Sequence, residues 1–425
     1  MSTDHEVVVV GGRVAGAATA LLLARAGARV ALVERSPYGT DALSTHGLMR
    51  GGVLQLTRWG LLDDIVAAGT PPIHETTFHY ADGESTHVSI RSSAGVHALY
   101  APRRYLLDRV LVDAAVAAGA DVRHEVTVTA LLRDDSGRVL GVRTVDRAGR
   151  SGELRAVITI GADGVHSTLA RLVGAPAVRR GRAGGAFLYR HHADIGAAGY
   201  EWAYGDGAGA GFVPTNDGLT CVFVATRPEH MRTLLRRGGT ELTFRTLLGH
   251  AAPRLAGRVA DAAPAGRIRG WPGLPGFVRR SSGPGWALVG DAGYYLDALT
   301  THGITEALRD AELLADAVFE AMTGVTPEAI ALAHYQVTRD RLTRRLFEAT
   351  EAVASYDWTL QDVRGRLRQV SSAMCDEIEH LSALPERRSA SSRISSDSRN
   401  HAMTVTPFGG NTPTGIHQLD RKEEP

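Results

Sequence analysis

Val7-Val8-Val9-Val10-Gly11-Gly12-Arg13-Val14-Ala15-Gly16 is the stretch whose reading decides the fold. Four β-branched residues in a row suit a strand buried on both faces of a parallel sheet. Gly11 to Gly16 punctuate that run, and Ala15 to Ala26 read as a helix rich in alanine and leucine, with Gly27 as its natural stop. Ala28 to Glu34 is a second buried strand, so the segment is a βαβ unit whose crossover is right-handed. A diphosphate placed at Gly11–Gly16 meets unpaired backbone N–H groups and the positive end of the helix dipole. Gly11 allows the tight turn and Gly16 the close approach of helix to strand. Arg13 stands where a middle glycine is usual, but Glu34 closes the next strand, where an acidic side chain can accept from both hydroxyls of a ribose.

Working outward, the spacing predicts a loop over Ser36 to Arg50, a helix through Gly52 to Trp59, and strands at Thr76–Tyr80 and Ser85–Ile90 around Ala81-Asp82-Gly83. Pro102 to Ala118 reads as a long helix, followed by single strands over Asp121–Leu132, Arg138–Asp146 and Glu153–Ile160. Strands return from Gly184 to Ala225, then helical stretches near Glu229–Arg237 and Leu242–His250. Trp286 to Gly290 reads as a strand, Gly303 to Met322 as a long helix, and Pro327 to about His380 as helical. After Leu384 the composition is rich in Ser, Arg, Thr, Pro and Gly, which predicts a disordered tail.

Composition narrows the function. With 44% apolar and 22% charged residues the chain is ordinary globular material, and 425 residues are enough for two or three packed units. A net charge of +1 gives no case for a nucleic-acid partner. Arginine carries nearly all the positive charge, the lone lysine being Lys422. Two cysteines, Cys221 and Cys375, cannot build a disulfide framework or a zinc cluster, so no metal is expected and a reduced cytoplasm fits. The N-terminus lacks a basic segment followed by an apolar one, and no apolar run is long enough to span a bilayer. A cytoplasmic protein acting on a small organic molecule is the expectation, with oligomeric state open.

Two further signals follow in order. Gly161-Ala162-Asp163-Gly164, with Ser167, closes the apolar run Ala156–Ile160; Gly290-Asp291-Ala292-Gly293 closes another, ahead of His302-Gly303-Ile304 at the start of a helix. An aspartate at a strand's C-terminal edge can hold sugar hydroxyls, and a helix N-terminus can face a partly anionic ring oxygen.

Together these residues resemble the FAD-dependent aromatic hydroxylases, the para-hydroxybenzoate hydroxylase-like flavoprotein monooxygenases, over roughly Glu6 to Met322. The resemblance implies an α/β fold: a doubly wound, Rossmann-type FAD-binding domain carrying an inserted antiparallel-sheet substrate domain, with C-terminal helices. We expect residues 1–75, 98–182 and 266–325 to form the FAD-binding domain, 76–97 and 183–265 the sheet domain, 326–383 the C-terminal helices and 384–425 the tail. The resemblance further implies that Gly11, Arg13, Val14, Ala15, Gly16, Glu34 and the adjacent Arg35 hold the ADP part of FAD. Arg50 and Arg104 fall where family arginines approach the cofactor, and Val126 where the backbone meets the adenine. Asp163 and Asp291 match the family's two aspartate motifs, and Gly303, Ile304 and Thr305 match the turn beside the flavin. NADPH or NADH is the implied electron donor, and transfer of one oxygen atom from O2 to an aromatic or polycyclic substrate is the implied reaction.

The chain also departs from the family pattern. Ala170 takes the arginine position of the Asp-Gly motif, with Arg171 one step on; Tyr294 replaces a histidine, Ala298 a proline and Thr305 an asparagine. These changes keep open a flavin-dependent dehydrogenase or reductase, and a flavoprotein whose structural FAD guides a non-redox cyclisation. A halogenase is disfavoured, because no lysine lies before the tail and Glu201-Trp202-Ala203-Tyr204 replaces the Trp-x-Trp-x-Ile-Pro stretch. His46 is a candidate general base, set against a structural role in its loop; His302 is a candidate for stabilising the reduced ring, set against a backbone-only position. Neighbours on a strand point to opposite faces, so His191-His192 is not a metal pair.

Overall fold

The computed structural model describes residues 5–384. Its centre is a six-stranded sheet in the order Ser282–Gly283, Trp286–Leu288, Ile158–Gly161, Val7–Val10, Val30–Glu34, Asp121–His124. All pairings are parallel except the outermost one. Val7–Val9 have no exposure and Val10 very little, which explains the unbroken apolar run: both faces of the sheet are covered. The helix Val14–Arg25 packs on one face beside Gly303–Met322 and Arg104–Ala117. The three functional motifs therefore all emerge at the C-terminal edge of adjacent parallel strands, where open α/β sheets bind their ligands.

A seven-stranded sheet runs Pro264–Trp271, Ala186–Ala193, Leu219–Thr226, Ala208–Pro214, Tyr200–Gly205, Glu75–Tyr80, Ser85–Ser89. It is antiparallel save where Tyr200–Gly205 pairs in parallel with Glu75–Tyr80. Alternation sorts its side chains. Tyr189, Trp202, Tyr204 and Phe223 share one face with Tyr294, Leu299 and Trp358, while Phe212, Val222 and Val224 pack on the other against the helix Pro228–Ala251. That helix contains the two stretches read from the sequence, joined across Gly239 at φ +70°.

Several expected elements are divided. The expected strand Asp121–Leu132 is two strands in different sheets, because Glu125 turns the chain at φ +59°. Glu153–Ile160 likewise splits into Ser151–Arg155 and Ile158–Gly161, the first completing a three-stranded sheet with Val126–Arg133 and Val139–Asp146. The large sheet continues past the expected boundary at 265, through Trp271. The helical region after Pro327 is two helices, Glu328–Ala354 and Leu360–Ala383. Tyr356 at φ +51° breaks it, and Thr359 with Asp362 forms a capping box that restarts it. The expected tail lies, from residue 385 on, outside the described residues. Among the described residues no helix is long and apolar enough to cross a membrane.

Candidate active site

A cleft of about 330 Å³ opens at the C-terminal edge of the parallel sheet. Arg13, Val14, Ala15, Arg104, Asp291, Gly303 and Ile304 all line it, so it gathers expected site residues from three separate parts of the sequence. Gly11 and Gly16 shape it from behind. Gly11 adopts φ +105°, and a Cβ there would lie 2.5 Å from the Ala162 carbonyl oxygen. A Cβ on Gly16 would lie 1.8 Å from the Gly11 carbonyl oxygen. Only glycine allows the helix to start this close to the strand end.

Glu34 is buried, and its two carboxylate oxygens accept from Gly12 N (2.7 Å) and Ser36 N (2.8 Å). It therefore sets the turn, and each oxygen keeps a lone pair for a further donor. Arg13 Nη1 donates to Asp108 Oδ2 at 2.9 Å, and Arg104 grips the same carboxylate through Nε at 3.1 Å and Nη2 at 3.3 Å. Two guanidiniums sharing one buried carboxylate leave a net positive charge facing the cleft. Asp108 was not among the expected site residues, although its place four residues after Arg104 on one helix makes the pair legible.

Asp291 carries the opposite charge at the cleft floor. Protein surrounds it, yet its side chain is open to the cleft and has no hydrogen-bond partner among the described residues. Desolvation pushes its pKa up to about 6, against the pull of Arg104. A carboxylate left without a protein donor, beside a net positive pair and two helix N-termini, fits a ligand with both hydroxyl groups and phosphates. These residues suit FAD.

The other expected residues sit elsewhere. Asp163 is engaged within its own segment: its oxygens accept from Ser167 Oγ, Thr168 N (2.6 Å) and Leu169 N (3.1 Å), capping the helix Thr168–Leu172. The cleft is walled there by Ala162, Gly164 and Val165. Thr305 is fully buried, and its Oγ1 accepts from Met49 N at 3.0 Å, tying a loop to the helix. Arg35 is exposed and Val126 half-buried, and neither lines the cleft. Arg50 lines a different cavity.

That second cavity has a volume of about 530 Å³ and lies between the large sheet and the helix Leu360–Ala383. Phe78, Tyr200, Trp202 and Tyr204 line its sheet side, and Leu367 and Met374 its helix side. The two cavities share a wall: Ala298, Thr301 and Gly303 face the cleft, while Leu299, Thr300 and His302 face the second chamber.

His302 is 1% exposed and its Nε2 lies 2.6 Å from Glu377 Oε2. Arg309 Nη1 donates to Glu377 Oε1 at 2.7 Å and its other nitrogens to Asp310. Burial opposes charge on His302, but Glu377 raises its pKa overall; Glu377 itself is held down to about 2 by His302 and Arg309 despite desolvation. Glu306, buried with its Oε1 3.7 Å from Arg309 Nη1 and without a hydrogen bond among the described residues, is pushed up to about 8 by desolvation. The sequence signal for this network was a run of charges, Glu306-Ala-Leu-Arg309-Asp310-Ala-Glu312, in the first half of a helix that the structure buries. Glu377 had no local signal.

His46 adopts φ +68° and is fully buried, with its Nε2 3.1 Å from His191 Nε2. It lines neither cavity, though Ser44, Thr45 and Gly47 line the cleft. Desolvation drives the pKa of His46 well down and that of His191 to about 4, while the Cys221 thiol rises to about 12. Donor atoms of these three residues lie within 4.8 Å of one another. His192 points to the opposite face and stacks on Phe244.

Comparison with known proteins agrees with this geometry. Over 354 residues the chain is 27% identical to digeranylgeranylglycerophospholipid reductase 2 of Methanopyrus kandleri, covering 78% of this chain and 81% of that one. Among solved structures, PqsL from Pseudomonas aeruginosa aligns with a TM-score of 0.72 at 23% identity, over 87% of this chain and 99% of that one. The flavin-dependent brominase Bmp2 aligns at 0.74 and 17%, over 93% and 99%. These two likenesses are of fold. The pattern of the FAD binding domain family matches residues 4–350, so the chain belongs to that family and is an FAD-dependent oxidoreductase.

Proposed function

We propose that this protein is a monooxygenase, reduced by NADPH or NADH, that inserts one oxygen atom from O2 into an aromatic or polycyclic small molecule. The observation that carries this reading is the pair of cavities on opposite faces of the Ala298–Gly303 segment, one suited to the cofactor and one large, apolar and lined with aromatic rings. FAD bound in the cleft would supply hydride acceptance and oxygen activation. The protein's own residues do the rest. Arg13, Arg104 and the amides after Gly11 would hold the diphosphate, with Val14 and Ala15 lining the same cleft. Asp291 would accept from hydroxyls of the linking chain, and Glu34 from the ribose. Gly303 and Ile304 would offer the helix N-terminus to the flavin. The sheet face bearing Trp202 and Tyr204 and the helix Leu360–Ala383 wall the substrate off from water. His302, whose pKa Glu377 raises against its burial, places an imidazole paired with a carboxylate in the partition between the two cavities. We divide the chain accordingly into a flavin unit, a sheet unit for the substrate and C-terminal helices.

A reductase acting on an apolar chain is the second reading. It is favoured by the relatedness to archaeal digeranylgeranylglycerophospholipid reductases and by Ala298 in place of the family proline. One experiment separates the two. The purified protein is mixed anaerobically with NADPH or NADH, flavin bleaching is followed, and 18O2 is then admitted with candidate aromatic substrates. Bleaching and one 18O atom per product molecule are expected. A hydrogenated product without 18O supports the reductase, and no bleaching by either donor removes the monooxygenase reading.

A further inference from the structure

We propose that the second chamber selects an acidic ligand, an apolar body carrying one anionic head group, and that Arg50 is the residue that anchors the head. This rests on the reading above that the chamber holds the substrate. Arg50 is half-buried on the chamber wall, and its one hydrogen bond among the described residues runs from Nη1 to the Val96 carbonyl oxygen at 3.2 Å. It has no carboxylate partner among the described residues, unlike the neighbouring cations. Arg13 and Arg104 share Asp108, Arg103 pairs with Asp41, Arg309 with Asp310 and Glu377, and Arg364 with Asp82 and Glu84. Among the described residues the one acid on the chamber wall is Glu377, and both of its oxygens are already taken by His302 and Arg309.

Arg50 also opens the helix Arg50–Arg58, where the macrodipole disfavours a cation, so its charge is not there to stabilise the helix. Arg368, exposed at the chamber rim, is a second cation without a carboxylate partner among the described residues. The walls are therefore aromatic and aliphatic with an uncompensated positive charge. A half-buried guanidinium facing such a cavity is completed by a carboxylate, sulfonate or phosphate on the ligand, and its planar fork suits those groups.

Two fluorescent probes with the same ring system test this on the FAD-loaded, full-length protein. 8-Anilinonaphthalene-1-sulfonate carries the anion, and N-phenyl-1-naphthylamine lacks it. The sulfonate is expected to bind about tenfold more tightly, as one charge-assisted contact in a partly buried site allows. Arg50→Met removes that preference and leaves the neutral probe and the FAD dissociation constant unchanged; Arg50→Lys keeps part of it. Val353→Trp, which fills the chamber, weakens both probes and so locates them. Equal binding of the two probes by the unaltered protein overturns the proposal, as does an unchanged preference in Arg50→Met. Loss of FAD from Arg50→Met with the preference intact returns Arg50 to the cofactor. Indifference of both probes to Val353→Trp places them outside the chamber and also overturns it. Failure of 18O incorporation removes the monooxygenase reading and leaves these binding results standing.

Discussion

Replacing Glu377 by glutamine keeps the shape of the side chain and removes the charge on which two buried cations depend. Glu377 is 2% exposed, 2.6 Å from His302 Nε2 and 2.7 Å from Arg309 Nη1. Its pKa falls from the usual 4.5 to about 2, which converts to about 3 kcal/mol of stability at neutral pH. That agrees with the roughly 3–5 kcal/mol lost when one partner of a buried ion pair is removed. Arg309 keeps Asp310, so the lower end applies. We expect Glu377→Gln to lower the midpoint of thermal unfolding by roughly 5 °C for a chain of this size. The loss must also vary with pH. A carboxylate with a depressed pKa stabilises fully above its unfolded value of 4.5 and loses that contribution as pH falls toward 2. A histidine with a raised pKa stabilises fully below 6.5 and loses its contribution as pH rises through the folded value. The difference between the two proteins is therefore largest between about pH 4.5 and 6.5 and shrinks on both sides. Urea unfolding across pH 3–9 measures it. A difference under about 1 kcal/mol at pH 5–6, or one that does not change with pH, would refute the ion-pair argument.

Gly16→Ala puts a Cβ 1.8 Å from a backbone oxygen that cannot step aside, so the protein is expected to purify without flavin, its FAD dissociation constant raised about 100-fold or more; flavin fluorescence titration reads this, and normal FAD content contradicts it. Arg104→Met leaves Asp108 to Arg13 alone and removes the net positive charge at the cleft, weakening FAD binding about 10- to 100-fold by the same titration. Asp291→Asn acts in opposite directions on the two states of the protein. With a folded pKa of about 6, an ionised Asp291 costs stability that is absent below pH 3.8 and develops as pH rises through 6, so the flavin-free variant is expected to be more stable at pH 7. Its open face screens the charge and limits the gain to about 1 kcal/mol, while FAD affinity falls; a variant less stable than the parent without flavin would count against it.

The elements whose patterns are local were the ones legible in the sequence. Val7–Val10, the glycine turn and Val30–Glu34 could be read because both faces of a parallel strand are buried and the turn needs glycine at fixed places. Asp291 and Gly303 could be placed because a strand end precedes one and a helix follows the other. Glu125 and Tyr356 could not be foreseen as breaks, since neither is a residue type that favours positive φ and tertiary packing sets their conformation. Asp163 was expected at the cofactor because its motif ends a strand, but the same oxygens satisfy the amides of the helix that begins five residues on. Arg50 was expected at the cofactor by motif position; in the structure it opens the helix Arg50–Arg58 and lines the second chamber.

That partition makes the arrangement more than two cavities in one protein. Asp297 accepts from Gly185 N at 2.6 Å and Leu299 N at 2.9 Å, and is pushed up to about 7 by its burial. Thr301 sits at φ +54°, with its methyl group so close to Gly47 that a Cβ there would lie 2.2 Å from it. The segment between them is thus pinned to the large sheet at one end and to the Ser44–Met49 loop at the other. Its residues divide between the cleft and the chamber, so one stretch of backbone builds part of both walls. His302 belongs to the chamber wall and is tied to the C-terminal helix through Glu377, while the next residue, Gly303, belongs to the cleft. The C-terminal helices therefore do more than cover apolar surface. They supply the charge that sets His302 at the boundary between the cofactor's cavity and the one we assign to the substrate.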